Sequence, residues 1–372
     1  MEQVVRRDLI KRIWFGSLKS EDKTFGGTRI LLVGAGGAGC NTVDRLMRMN
    51  IENIETLAIN TDGSHLQMIR ADRKILIGEE ITGGLGAGGD PEIGYRAIME
   101  SIDEVEEAVK GADIVFVAAG MGGGTGTAVA PVVAEVARNA GSLVIGVVTM
   151  PFKHEKNRIG IAVDGLSKMR RACHTIAVIE NDRLLRLASD LPVEEALQIA
   201  ETTLVNMIRG ITDTISKPGT INLDFADIRS LMRRGGVMYI GIGISNAPNR
   251  AEDAVRRALN NPLIDLSYDG ATGALIYVTG DYSMTLSEVV HTAYLVSNML
   301  KDDANVFWGY RIDPSLKEYL KVTLLLTGVK SPQLYSGYGF YPIELPNIEP
   351  DSGMEEEIPI EFGLYQMEKS FI

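Results

Sequence analysis

Three glycine-rich stretches each follow a short apolar run, and this repetition constrains the chain more than any other feature. Gly34-Ala35-Gly36-Gly37-Ala38-Gly39 closes the run RILLVG, TGGLGAGGDP (82–91) follows KILIG, and GMGGGTGTA (120–128) follows DIVFVAA. Glycine has no side chain to bury and loses more freedom on folding than any other residue. A packed core does not favour such text, so something must approach this backbone closely.

The rest of the chain frames the loops. ETLAIN, LVIGVVTM and TIAVIE are further strand-length apolar runs, while AGCNTVDRLMRMN and VAPVVAEVARNAG carry helical spacing. Alternation of this kind predicts an α/β fold, a parallel sheet with helices on both faces. The glycine loops then share the carboxyl edge of the sheet, where such folds bind ligands. A long helix is expected from Pro192 to Ser216, ending at the breaker KPGT. Beyond it, GVMYIGIGIS, GALIYVTG, ANVFWGYRI and KVTLLLTGV read as strands of a smaller α+β domain. The expected organisation is a leader helix at 1–27, a nucleotide-binding domain at 28–191, a central helix at 192–217, an α+β domain at 218–330 and a disordered tail at 331–372. The leader has an apolar face (Val4, Val5, Leu9, Ile13, Trp14), expected to dock on the protein's own body.

Composition removes several classes. The net charge is −12, which argues against nucleic acid as a partner. Cys40 and Cys173 are the only cysteines and lack ligand spacing, pointing to a reducing, cytoplasmic setting without zinc or disulfides. His65, His154, His174 and His291 form no metal-binding spacing either. No apolar run approaches the ~20 residues that span a bilayer.

A helix N-terminus is an anion site. Two such ends, after Gly37 and after Gly124, together with the third loop, suit a di- or triphosphate, with Thr125 and Thr127 adding hydroxyls. No G-x-x-x-x-G-K-[ST] is present, so backbone N–H groups and a metal ion, expected to be Mg2+, must meet the phosphate charge. The pattern G34-x-G-x-x-G39 with Asp62 also fits a nicotinamide-dependent oxidoreductase. That alternative leaves the other two loops, and Asn222, Asp224 and Asp227, without a use.

GGGTGT, NTDG (60–63), GLGAGGDP and NLDFADIR (222–229) together resemble the tubulin/FtsZ family, in its archaeal cell-division branch, over roughly residues 29–330. The resemblance implies a parallel-sheet GTPase domain joined by a long central helix to a smaller α+β domain. It further implies a GTP-hydrolysing protein that forms head-to-tail filaments. By position, Gly36, Gly37, Ala38, Gly39, Cys40 and Asn41 line the first phosphate loop, and Asn60 and Asp62 sit in the second. Gly84, Gly86, Ala87 and Gly88 lie near the γ-phosphate. Gly123, Gly124, Thr125, Gly126 and Thr127 hold the central phosphates. Glu155 bonds the ribose, Arg158 lies beside the nucleotide, and Asn181 reads guanine. On the central helix, Thr202 takes the guanine-bonding position beside Glu201, and Leu197 the place of the stacking aromatic.

Asp44 and Asp62 are nearby candidate bases. Asn222, Asp224 and Asp227 are the catalytic set that the resemblance implies, with the acids completing the next subunit's site. Read without the resemblance, Asp224 is an N-cap and Asp227 a first-turn acid. The departures at Thr202 and Ala128 leave room for a GTP-binding regulatory paralogue that polymerises poorly. The resemblance further implies that the acidic tail, with its apolar islands at 358–367, docks on a SepF-like membrane anchor.

Overall fold

The computed structural model describes residues 28–330, apart from 52, 189–190, 217–224, 234–235, 262–263, 265–267 and 269–270. The expected leader and tail, with Asn222 and Asp224, lie outside the described residues.

Ten strands form one sheet in the order β3-β2-β1-β4-β5-β6-β7-β10-β8-β9. They are β1 Ile30–Ala35, β2 Glu55–Asn60, β3 Arg73–Leu76, β4 Ile114–Gly120, β5 Leu143–Met150, β6 Thr175–Glu180, β7 Val237–Ser245, β8 Gly273–Gly280, β9 Asn305–Ile312 and β10 Leu320–Val329. The first six are parallel, with Val33 opposite Leu57 on one side and Val117 on the other. β6 meets β7 through one pair, Ile176 with Val237. β10 runs antiparallel to β7 and β8, and β8 and β9 are parallel.

The inner strands are buried along nearly their whole length, which is why they read as unbroken apolar runs rather than alternating ones. Successive side chains still part to opposite faces. Leu32, Phe116 and Ile145 pack on one face with Leu204, Ile208 and Ile211 of the central helix Val193–Ser216. Val33, Val117 and Val148 pack on the other with Val129 and Val133 of the helix Thr125–Asn139. The central helix therefore lies against the sheet that carries the glycine loops.

Helix Gly36–Arg48 crosses β4 closely, and a Cβ at Gly39 would stand 2.2 Å from the Ala118 carbonyl oxygen. Both atoms belong to regular backbone, which has little freedom to give. Gly39→Ala is expected to destabilise the fold by about 2 kcal/mol, in the range of core overpacking, read as a lowered urea midpoint. An unchanged midpoint would show that this crossing is looser than the geometry implies.

Candidate functional site

Every glycine loop emerges at the carboxyl edge of the parallel strands. The helix Gly36–Arg48 starts directly from β1 and has no side-chain N-cap, since its cap residue is Ala35. Its first N–H groups have no partner within the helix. Helix Thr125–Asn139 begins at Thr125, inside the glycine stretch, so Thr125, Gly126 and Thr127 form its first turn. The two helix starts touch through backbone. Gly36 sits at φ +69°, and a Cβ there would be 2.6 Å from the Gly126 nitrogen. Two positive dipole ends thus face one space.

The third loop, 83–89, hangs on the turn after β2. Gly86 N–H donates to the Thr61 carbonyl (3.1 Å), and Gly63 N–H donates to the Gly84 carbonyl (2.9 Å). A Cβ at Gly124 would meet Ala87 Cβ at 3.0 Å and the Asp90 backbone at 2.8 Å, so this loop also leans on the Thr125 helix start. The Thr61 and Thr125 hydroxyls share a hydrogen bond of 2.7 Å. Gly37, Gly88 and Gly123 differ from the glycines at contacts, because nothing lies within 4 Å of a Cβ built on them. Some glycines let the loops meet, and these three, like Gly83 and Gly89, leave an open face of bare backbone where a side chain would stand. Such an open face fits a chain of phosphates held by N–H groups.

Individual side chains need correction. Cys40 is fully buried, and its thiol lies 3.6 Å from the Gly34 carbonyl and 3.5 Å from that of Ile59. It packs under the first loop and contributes no side chain to the open face. Thr127 is also buried, and its hydroxyl accepts the Gly122 N–H at 2.9 Å, fastening the loop. Asp44 is engaged by Arg48 (2.6 Å) and by the Arg70 N–H (2.9 Å), a structural role. Asp62 caps the short helix Gly63–Met68 by accepting the His65 N–H at 3.0 Å.

Glu155 accepts from the Phe152 N–H (3.0 Å) and pairs with Arg158 (2.6 Å). The Arg158 backbone abuts Gly122. Asn181 opens the turn after β6, and the adjacent Asp182 accepts the Lys153 N–H at 2.9 Å, joining these two loops.

Thr202 does not face the site. It is 1% exposed, and its hydroxyl donates to the Gln198 carbonyl at 2.7 Å. The neighbouring Glu201 is in reach of the Asn41 side chain of the first loop, which favours its charged form. Burial holds that carboxyl above the usual carboxylate range. Helical spacing contained the signal, since 197 and 201 are four apart and share a face, whereas 202 turns ~100° toward the core. A threonine tolerates that position by bonding its own helix.

Asp227 lies in the first turn of helix Phe225–Arg233. Two residues on, Arg229 donates to the Gly141 carbonyl at 2.8 Å, at the amino end of β5. The phosphate loops are at the other end of that strand. Thr61 and His65, which sequence reasoning left unassigned, bond to Thr125 and Asn41 of these loops.

Residues 29–189 match the model of the Tubulin/FtsZ family GTPase domain, and residues 236–330 that of the FtsZ family C-terminal domain. The chain is 47% identical over 337 residues to cell division protein FtsZ 2 of Methanocaldococcus jannaschii, covering 88% of this chain and 89% of that protein. It is 44% identical to cell division protein FtsZ 1 of Thermococcus kodakarensis, covering 91% and 89%. An empty FtsZ dimer from M. jannaschii superposes with a TM-score of 0.75 at 42% identity, covering 87% of this chain and 92% of that one.

Burial pushes the Cys40 thiol up to about 12, and the Cys173 thiol higher still. The thiolate is the reactive form. At pH 8 both thiols should resist iodoacetamide in the native protein and react fully in denaturant, measured by mass. Rapid native labelling of Cys40 would place it at the open face after all.

Proposed function

Since this chain belongs to the tubulin/FtsZ family, we propose that it binds GTP across the three glycine loops, hydrolyses it, and polymerises head to tail into division filaments in the cytoplasm. The N–H groups at the starts of helices Gly36–Arg48 and Thr125–Asn139 take the phosphates. Gly84, Gly86 and Gly88 flank the terminal phosphate. Glu155 and Arg158 sit by the ribose, and Asn181 and Glu201 read the guanine edge. A carboxylate offers two acceptors to guanine's two adjacent donors, which the threonine hydroxyl could not. Mg2+ usually keeps several waters and relies on substrate phosphates with few protein ligands, so this loop set suits it. When bound it would neutralise phosphate charge.

The observation that carries the reading is the placement of Asp227. It stands near the amino end of β5, and eight residues of strand, roughly 25 Å, lie between that end and the loops. Asp227 is too distant to orient a water on its own protomer's γ-phosphate. A second protomer stacked on the carboxyl edge would bring its own Asp227 to that water. Capture by a SepF-like anchor through the tail completes the reading, since among the described residues no helix is long and apolar enough to cross a membrane.

Phosphate release with simultaneous light scattering tests the proposal. The wild type should scatter and turn over on addition of GTP. Asp227→Ala should bind GTP near normally and lose turnover by about 100-fold or more, the usual scale for a positioned acid or base. Mixed with wild type, it should depress turnover beyond dilution. Loss of GTP binding in the variant would place Asp227 at its own protomer's site and overturn the trans arrangement.

A further inference from the structure

Three side chains, Asn60, His65 and Asn41, run in a hydrogen-bonded line from the second loop toward Glu201 of the central helix, and each fixes the polarity of the next. Asn60 is buried, and its Oδ1 accepts the Thr61 N–H at 2.9 Å. Its amide nitrogen is therefore the group that faces His65 Nδ1, at 3.2 Å. An N–H can only donate, so Nδ1 accepts and the ring hydrogen sits on Nε2. Nε2–H then donates to Asn41 Oδ1 at 3.0 Å. That leaves the Asn41 amide nitrogen as the group available to Glu201, which is in its reach. The line begins at the backbone that carries the third glycine loop and leads toward the carboxylate proposed to face the base.

We infer that His65 is a specificity-determining positioning residue: by holding the Asn41 amide with its N–H toward Glu201, it presets that carboxylate for the two donors of guanine. This rests on the reading of the site as a guanine-nucleotide site. Without His65 the Asn41 amide is free to turn and set its oxygen against Glu201, two acceptors face to face. Glu201 then loses its fixed orientation, and a base offering two donors loses more than a base offering one. The phosphate end should change little, because the His65 ring meets side-chain atoms of Asn60 and Asn41 rather than the backbone N–H groups of the glycine loops.

Calorimetry with GDP and with IDP, which lacks the 2-amino group, separates these effects without turnover. The wild type should prefer GDP. His65→Leu should shrink the GDP:IDP affinity ratio about fivefold, a partial loss of one charge-assisted hydrogen bond, with IDP affinity nearly kept. His65→Gln, whose amide accepts from Asn60 and donates to Asn41, should restore the ratio. A Leu variant that weakens both nucleotides equally, or keeps the full ratio, overturns the inference. If His65→Leu does not fold, His65→Glu serves in its place. It has the shape of Gln and can accept from Asn60 but has no hydrogen for Asn41, so it should lower the ratio where Gln does not. Equal ratios in those two variants would also overturn it. A wild type that binds GDP no better than IDP would sink the guanine reading itself, a distinguishable failure.

Discussion

The contact between Gly36 and Gly126 is the interaction on which the rest of the site depends. It brings the starts of two helices within van der Waals distance, each presenting unpaired N–H groups and the positive end of a dipole. Like ends repel, so this arrangement carries a local cost that the apolar sheet beneath must offset. The cost is relieved when an anion enters the space between them. Nucleotide binding and folding stability are therefore linked, because a ligand that binds only the folded state stabilises it by mass action.

The central helix ties that site to the remaining strands. One face of it buries Leu204, Ile208 and Ile211 against the sheet, while Glu201, nearer its start, is in reach of Asn41. Its threonines bury their hydroxyls without stranding them, although Asn206 Oδ1 on the same helix is buried without a partner. Thr202, Thr212 and Thr214 are all buried, and each hydroxyl donates to the carbonyl four residues before it. The same helix thus serves as a core element along most of its length and, in the proposed reading, as a wall of the base site at one end. A shift of the helix along its axis would move Glu201 and the packing of β7 together.

Much of this was legible because fully buried parallel strands write themselves as apolar runs. ETLAIN, LVIGVVTM and TIAVIE coincide with β2, β5 and β6 residue for residue. The positions of the glycine loops followed from those runs. The failures have a common cause, which is that side-chain direction near a loop depends on packing from elements distant in sequence. Cys40 sits in the loop motif yet points between β1 and β2, toward two carbonyls. Thr127 looks like a ligand hydroxyl but serves Gly122. Thr202 turns into the core and bonds its own helix, and the proposed role of Glu201 rests on the face it shares with Leu197. The single pair joining β6 to β7 left no mark in the sequence at all, since it is one contact between residues 61 apart.

The proposed sharing of the active site has a consequence for symmetry. The phosphate loops and Asp227 stand at opposite edges of one twisted sheet, so a protomer presents two unlike faces. A two-fold dimer pairs like with like. It would set loops against loops and leave every Asp227 without a nucleotide. Completing a site requires the amino-edge face of one copy on the carboxyl-edge face of the next, a heterologous contact. Each addition exposes the same unlike pair again, so growth is polar and open-ended. Hydrolysis is then confined to nucleotides already covered by a neighbour, and the exposed carboxyl edge at one end keeps its GTP. Under this arrangement filament polarity and the timing of hydrolysis follow from where the sheet places its two edges.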